Sequence, residues 1–381
     1  MPKPDALMLC PEAPYPVMGG GPMRTACLLE YLAKKYVLDV ITFCEPGSAD
    51  PRDAIPQGLV RNVKIINLPY HGKKKHERAL RNLQRLARGI PPLVDRFAGF
   101  NLDINRKYEL GVIEHFWCAP YIDQLRPHCR KIALNLHNVE SVLLASCADQ
   151  EAAANRWALH RFSDACRKLE TELFPAFDFL LVTSKSDRDR IGVGTVFPNA
   201  IPVVPRPVVP KRDEIVFSGN MAYLPNMLGT QWFAEKIWPT LRHRRPSLKW
   251  RLVGKNPQAL RLQTGDGIEI TGPVDDAIAE LATARAAVVP ILSGSGTRLK
   301  ILENWAAGVP IIATALGAEG LECRDGEHLL LADTPEDFTE AVLSVVNDSA
   351  LAQRLADSGR ALYEQKYTWP IAWKMLEETG L

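Results

Sequence analysis

The chain has 381 residues, 46% of them hydrophobic and 24% charged, with a formal net charge of +2. That length accommodates two domains of ordinary size, and the composition is that of a soluble globular protein without low-complexity tracts. The near-balance of charge excludes a global attraction to nucleic acid or membrane, so any anionic partner has to be met locally.

The eight cysteines include no CxxC pair and no zinc-finger spacing, and several lie in apolar runs. This reads as a set of reduced core residues in a cytoplasmic protein. The amino-terminal apolar run is too short for a signal peptide and no stretch approaches 18 apolar residues, so no membrane span is expected.

In chain order, β-rich apolar runs predict strands at 6–10, 37–43, 63–69, 110–116, 131–137 and 177–184. Helical patterns fall between most of them, including 23–36 and a long one near 149–174. Continuous apolar strands alternating with helices indicate a parallel sheet covered on both faces. The segment "PNAIPVVPRPVVPKR" (198–212) then carries five prolines, poor material for a helix or a central strand, and marks a boundary. Beyond it the alternation restarts, with strands predicted at 214–220, 248–255, 267–274, 286–292, 309–314 and 328–333. The fold class is α/β, with two facing, doubly wound Rossmann-like domains. Such sheets bind ligands at the carboxyl ends of their strands, which places the expected site in the interdomain cleft.

One segment carries most of the chemistry. In "VVPILSGSGTRLKILENWAAGVPIIAT" (288–314) a helix is expected from about Thr297 to Gly308, with Leu299, Leu302 and Ala306 as its inward stripe. Arg298 and Lys300 then fall in the first turn. The helix end there already carries about +0.5 charge, so each cation is unfavourable by roughly 0.3–1 kcal/mol. A diphosphate bound at the free amides would turn that penalty into an attraction. Alternatively both side chains bend into water and Lys300 pairs with Glu303 at i,i+3. The segment alone leaves the two readings open.

The stretch "GSGTRLKILENWAAGVPIIAT" resembles the donor-binding segment of glycosyltransferase family 4, in the branch that reads Gly-x-Gly-Thr-Arg-Leu-Lys-x-Leu-Glu. Further stretches resemble the same family in the same order: "GGGPMRTACLLEYLAKKY" (19–36), "HNVES" (137–141), "LLVTSKSDRDRI" (180–191), "FSGNMAYLPN" (217–226), "RLVGKNP" (251–257) and "TGPVDD" (271–276). The likeness covers most of the chain and is strongest over 214–335. It implies the GT-B fold, with an acceptor-binding domain over 1–207, a donor-binding domain over 208–365, and a last helix, 366–381, packing back on the first domain. It also implies transfer of a sugar from a nucleotide-diphosphate sugar, with retention of configuration and without a metal or other cofactor. The acceptor would be a glycan, a lipid-linked or a small-molecule hydroxyl, as in polysaccharide biosynthesis; nucleic acid is not an expected partner.

Carried over residue by residue, the resemblance assigns Glu303 to the donor ribose. Eight positions earlier, where the family commonly has a glutamate that touches the donor sugar, stands Ser295. Gly296, Thr297, Arg298 and Leu299 fall where backbone amides cradle the phosphates, and Gly20 and Gly21 lie in the Gly-rich loop after strand one. Many relatives have an arginine and a lysine after the first strand of the second domain; here that place holds Asn220, so Arg298 and Lys300 are expected to supply the charge. His115 matches loosely a histidine that contacts the reacting sugar, and His137 opens the "HNVES" marker. Lys255 and the backbone near Val274 would flank the base.

The segment 71–89, "HGKKKHERALRNLQRLARG", holds seven Lys/Arg and one Glu. Leu80, Leu83 and Ala87 can form an apolar stripe among its arginines, a pattern suited to peripheral contact with the inner face of an anionic membrane or to an exposed helix or loop over the acceptor site. Two other functions share the expected fold: a non-hydrolysing sugar-nucleotide epimerase, and a nucleotide-sugar-binding protein that has lost catalysis. The broken fingerprint at "GGGPMR", where the third glycine position holds Arg24, disfavours an oxidoreductase.

Overall fold

The computed structural model describes residues 2–381 apart from Met18, Lys73, Arg261, Gln263, Thr264, Gly296 and Thr297; of Lys75 it describes only the backbone. The chain divides into two compact units. One is Met1–Pro198 together with Trp373–Leu381, the other Asn199–Ala372.

The first unit is built on seven strands: β1 Asp5–Cys10, β2 Val37–Cys44, β3 Asn62–Asn67, β4 Tyr108–Glu114, β5 Cys129–Asn135, β6 Phe179–Val182 and β7 Thr195–Val196. All neighbours are parallel, in the order β3-β2-β1-β4-β5-β6-β7. Its helices are α1 Gly20–Lys35, α2 Lys75–Arg88, α3 Pro92–Phe97, α4 Ile122–Leu125, α5 Glu140–Ala148, α6 Ala153–Leu173 and α7 Lys185–Ile191. Parallel strands need crossover connections, and the covering helices bury both faces, which is why β1, β2 and β4 are mostly apolar and mostly buried. Each of the six predicted runs in this part of the chain overlaps one of β1 to β6, with bounds one or two residues off in most. The two-residue β7 was not expected, since "GVGTVF" has too few apolar residues to mark a strand.

The second unit has six strands: β8 Glu214–Ser218, β9 Lys249–Val253, β10 Ile268–Thr271, β11 Ala286–Val289, β12 Ile311–Ala313 and β13 Leu330–Leu331. They too are all parallel, in the order β10-β9-β8-β11-β12-β13. Each falls inside one of the six predicted runs. The helices are α8 Leu224–Lys236, α9 Trp238–Arg244, α10 Ala277–Leu281, α11 Leu299–Ala306, α12 Pro335–Asn347, α13 Ser349–Lys366 and α14 Trp369–Glu377. Trp250, Trp305, Phe217, Phe233 and Phe338 are fully buried in this unit.

Helix α14 starts in the second unit and from Trp373 onward belongs to the first. There the Trp373 Nε1 donates to the Cys27 carbonyl at 2.8 Å and the Lys34 ammonium sits 3.3 Å above the indole. None of the eight cysteines is in a disulfide, and six of them are buried. Among the described residues no helix is long and apolar enough to cross a membrane.

Each sheet reverses its strand order between its first and fourth strands, β1 beside β4 and β8 beside β11. In doubly wound folds that switch point, at the carboxyl ends of the strands, is where ligands bind.

Candidate active site

In the second unit the chain leaves β11, makes the loop 290–298 and enters α11. The helix is two residues shorter at its start than expected, since Arg298 is its extended N-cap and Leu299 its first residue. At the other end Gly308 takes φ 67°, and the amides of Gly308 and Val309 bond back to Trp305 and Asn304 at 3.0 and 2.9 Å. This is the left-handed terminator expected of a glycine there. Leu299, Leu302 and Ala306 are buried as predicted, joined by Ile301 and Trp305.

Neither cation bends into water. Arg298 is only 7% exposed, folded against its own loop, with Nη1 donating to the Ser295 carbonyl at 2.7 Å. Its Nε and Nη2 are buried and have no hydrogen-bond partner among the described residues. Lys300 is half-buried and does not pair with Glu303. Its Nζ donates to Asn226 Oδ1 at 2.6 Å and lies 4.1 Å from the centroid of the Phe217 ring. Phe217 is on β8 and Asn226 on α8, so the lysine of α11 delivers its ammonium to the end of β8, beside Gly219. Asn226 is held for this by its own Nδ2, which donates to the Asn220 carbonyl at 2.8 Å.

Burial pulls the Lys300 ammonium down to about 7, with Arg298 adding to the shift and Glu303 opposing it. Burial likewise pushes the Glu303 carboxyl up to about 7, against the pull of Lys300. Glu303 is half-buried one turn into α11, and its carboxyl has no hydrogen-bond or ion-pair partner among the described residues. Ser295 is buried in the loop. Asn220, Lys255 and Val274 follow β8, β9 and β10, so the parallel sheet brings them to the same edge as Ser295 and Arg298. Gly296 and Thr297, expected to cradle phosphates, lie outside the described residues.

In the first unit the corresponding edge carries the two histidines. His115 immediately follows β4 at φ 62° and ψ 145°, a region that costs a non-glycine residue roughly 1–3 kcal/mol. Stacking holds it there: its ring lies 3.4 Å from that of His137 and 4.2 Å from that of Trp117, centroid to centroid. Burial depresses both imidazoles well below their usual range, so near pH 7 they are neutral and stack without repulsion. A Cβ on Gly21 would stand 3.6 Å from His115 Nε2, which places the start of α1 directly beside that ring; Gly20 is exposed at the first position of the same helix.

Beneath the histidines lies a polar network that the sequence reading missed. His137 Nε2 is 2.7 Å from Glu114 Oε2, and Glu114 is fully buried. The same carboxylate accepts from Thr25 Oγ1 at 2.9 Å and from Asn135 Nδ2 at 3.0 Å. Arg24 donates twice to Asn135 Oδ1, at 3.0 and 2.7 Å, and once to the Phe197 carbonyl at 2.6 Å. The available signal was a lone polar residue inside an apolar run, Glu114 in "GVIEHF" and Asn135 in "IALNLH". A buried polar group there has to find a partner.

Comparison with known proteins bears on the fold. Residues 212–348 match the family model described as glycosyl transferases group 1. An uncharacterized 44.6 kDa protein from the cps region of Klebsiella pneumoniae is 23% identical over 379 residues, which span 95% of this chain and 96% of that one. Among solved structures, sucrose-phosphate synthase from Thermosynechococcus elongatus superposes with a TM-score of 0.71 at 19% identity, covering 98% of each chain. Anabaena Alr3699/HepE in complex with UDP and glucose gives 0.65 at 13% identity, also over 98% of each. At these identities the structural likeness speaks for the fold. The chain therefore has the GT-B architecture of two parallel-sheet Rossmann-like domains, and its match to the glycosyl transferases group 1 model lies within the second unit.

Proposed function

We propose that the protein is a retaining glycosyltransferase of family 4 that moves a sugar from a nucleoside-diphosphate sugar to an acceptor hydroxyl. The observation that carries this is the guanidinium of Arg298. It is buried at the start of α11 with two nitrogens, Nε and Nη2, unsatisfied, beside a desolvated lysine. A buried donor without a partner costs about 1–3 kcal/mol, more when charged, and an anion at the helix end removes that cost for Arg298 and offsets the desolvation of Lys300. The placement at the β8/β11 switch point is where a doubly wound domain receives a nucleotide. Binding of UDP by Alr3699/HepE supports uracil as the first base to try.

In this reading Glu303 accepts from the ribose hydroxyls, while Arg298, Lys300 and the first amides of α11, that of Leu299 included, hold the diphosphate. Lys255 and Val274 flank the base, and Ser295 borders the sugar. The bond from the anomeric carbon to the diphosphate breaks and its electron pair goes to the phosphate oxygen. The acceptor oxygen bonds to that carbon from the face just vacated, and its proton passes to an oxygen of the departing diphosphate. Positive charge already fixed at the leaving group is the main catalytic term, so the step as drawn calls on no metal. In the first unit, His115 and His137 are assigned to the reacting sugar.

Turnover of a panel of UDP-, GDP-, ADP- and dTDP-sugars tests the assignment. Arg298→Ala and Lys300→Ala should each lower kcat by about 10²–10³ with the productive donor. Full activity in both variants, or epimerisation of the donor without transfer, would overturn it.

A further inference from the structure

Lys300 leaves the first turn of α11 with two courses open to it, out into water or across to β8, and an asparagine settles the choice. Asn226, in the first turn of α8, is 4% exposed and its carboxamide is engaged on both sides. Nδ2 donates to the Asn220 carbonyl at 2.8 Å, and Oδ1 accepts from the Lys300 ammonium at 2.6 Å. Turning the carboxamide over would set its NH2 against an ammonium, donor against donor, and its oxygen against a carbonyl, acceptor against acceptor. Only one orientation satisfies both neighbours.

Asn220 is itself tied down. Its Oδ1 accepts from the Ala222 amide at 3.0 Å and from Asn256 Nδ2 at 2.9 Å, and the Met221 amide bonds to the Lys255 carbonyl at 2.8 Å. Asn256 stands at φ 56° and ψ 45°, a left-handed conformation that asparagine adopts more readily than most residues. Three asparagines, two from the turns after β8 and β9 and one from α8, thus run to a single ammonium on α11. They close over Gly219, where a Cβ would stand 2.8 Å from Asn226 Nδ2 and 3.4 Å from Lys300 Nζ.

The chemistry of this anchor matters as much as its place. Two neutral groups meet the ammonium, the Asn226 carboxamide from α8 and the Phe217 ring from β8. The titratable groups that act on it are Arg298, which repels it, and Glu303, which attracts it without pairing. A carboxylate in the place of Asn226 would hold the lysine equally well and cancel its charge; a carboxamide holds it and leaves the charge to be met by a ligand. An ammonium has three donors, and Asn226 is its one hydrogen-bond acceptor among the described residues.

We propose that Asn226 is a positioning residue for nucleotide binding: it holds Lys300 at the end of β8 without neutralising it, and so sets the affinity of this edge for a nucleoside diphosphate. This rests on the reading that the diphosphate binds at the start of α11.

A double-mutant cycle tests it, read by calorimetric binding of whichever of UDP, GDP, ADP and dTDP the wild type binds most tightly. Lys300→Met should weaken binding by about tenfold or more. A wild type that binds none of the four, or a methionine variant that binds equally well, would sink the site and the role of Asn226 together. Asn226→Ala should cost about as much as Lys300→Met in the wild type, and less than about twofold in the Lys300→Met background. Unchanged binding by Asn226→Ala alone, or equal losses in both backgrounds, would make Asn226 a residue of the fold only and overturn the proposal while leaving the site in place. Asn226→Asp, nearly the same shape, should weaken binding by about tenfold or more at neutral pH, because its carboxylate cancels the ammonium. It should also hold its affinity as pH rises past neutrality, where the wild type loses affinity with the charge of Lys300. Binding by this variant as tight as that of the wild type would show that the neutrality of the anchor counts for nothing, and would likewise overturn the proposal.

Discussion

Lys300 is the residue whose environment decides most. An ammonium that titrates near 7 in the free protein is charged only on the acid side of neutrality. A diphosphate beside it favours the charged form and moves its titration upward. Affinity for a nucleoside diphosphate should therefore fall as pH rises through 7, by up to about tenfold per unit until the bound-state value is reached. Calorimetric titration between about pH 7 and 8.5 reads this slope, and Lys300→Met should flatten it. A slope that survives the substitution would take Lys300 out of the anion site. At this scale the sequence showed that two cations sit at a helix end. It did not show that Arg298 turns onto its own loop and Lys300 crosses to β8, because both outcomes depend on contacts with Ser295 and Asn226 that no local spacing encodes. Glu114 was overlooked for the same reason, as Thr25 reaches it from α1 and Asn135 and His137 from the end of β5.

At the scale of elements, the candidate site depends on how firmly α11 is held. Trp305 anchors it from behind: the indole is fully buried, donates to the His328 carbonyl at 3.1 Å and packs over Gly359 of α13. A methyl group on Gly359 would run into that indole, and the displaced helix carries Arg298 and Lys300 with it. Gly359→Ala should destabilise the second unit by about 1–3 kcal/mol, measured by urea denaturation, and weaken nucleotide binding although it touches no ligand. An unchanged midpoint would show that the α11–α13 contact has slack. Strands were the most legible elements here, since buried parallel strands are rich in apolar residues, and each of the twelve predicted runs overlaps a strand. Helix α2 was legible as an amphipathic pattern, but which face it buries was not, because the choice is made by Asp95 in the neighbouring helix.

For the molecule as a whole, the division into units does not follow chain order. The first unit takes its last residues from the far end of the chain, where Trp373, Leu376 and Leu381 pack against it; Leu376 is fully buried and the Lys35 ammonium holds the Leu381 carbonyl at 3.1 Å. Truncation after Ala372 should lower the denaturation midpoint of the first unit, by about 2–5 kcal/mol for the large side chains removed, and circular dichroism in urea reads it directly. A midpoint that does not move would show that the tail only rests on the surface.

This arrangement also bears on how the chain is made. A ribosome that has finished the seven-stranded sheet has still to synthesise all of the second unit before the indole that covers Cys27 emerges. At 5–20 residues per second that is a wait of roughly ten seconds or longer. During it the helix bearing Cys27 stands uncovered, so the newborn first unit presents an apolar seam that only the segment from Trp373 onward seals.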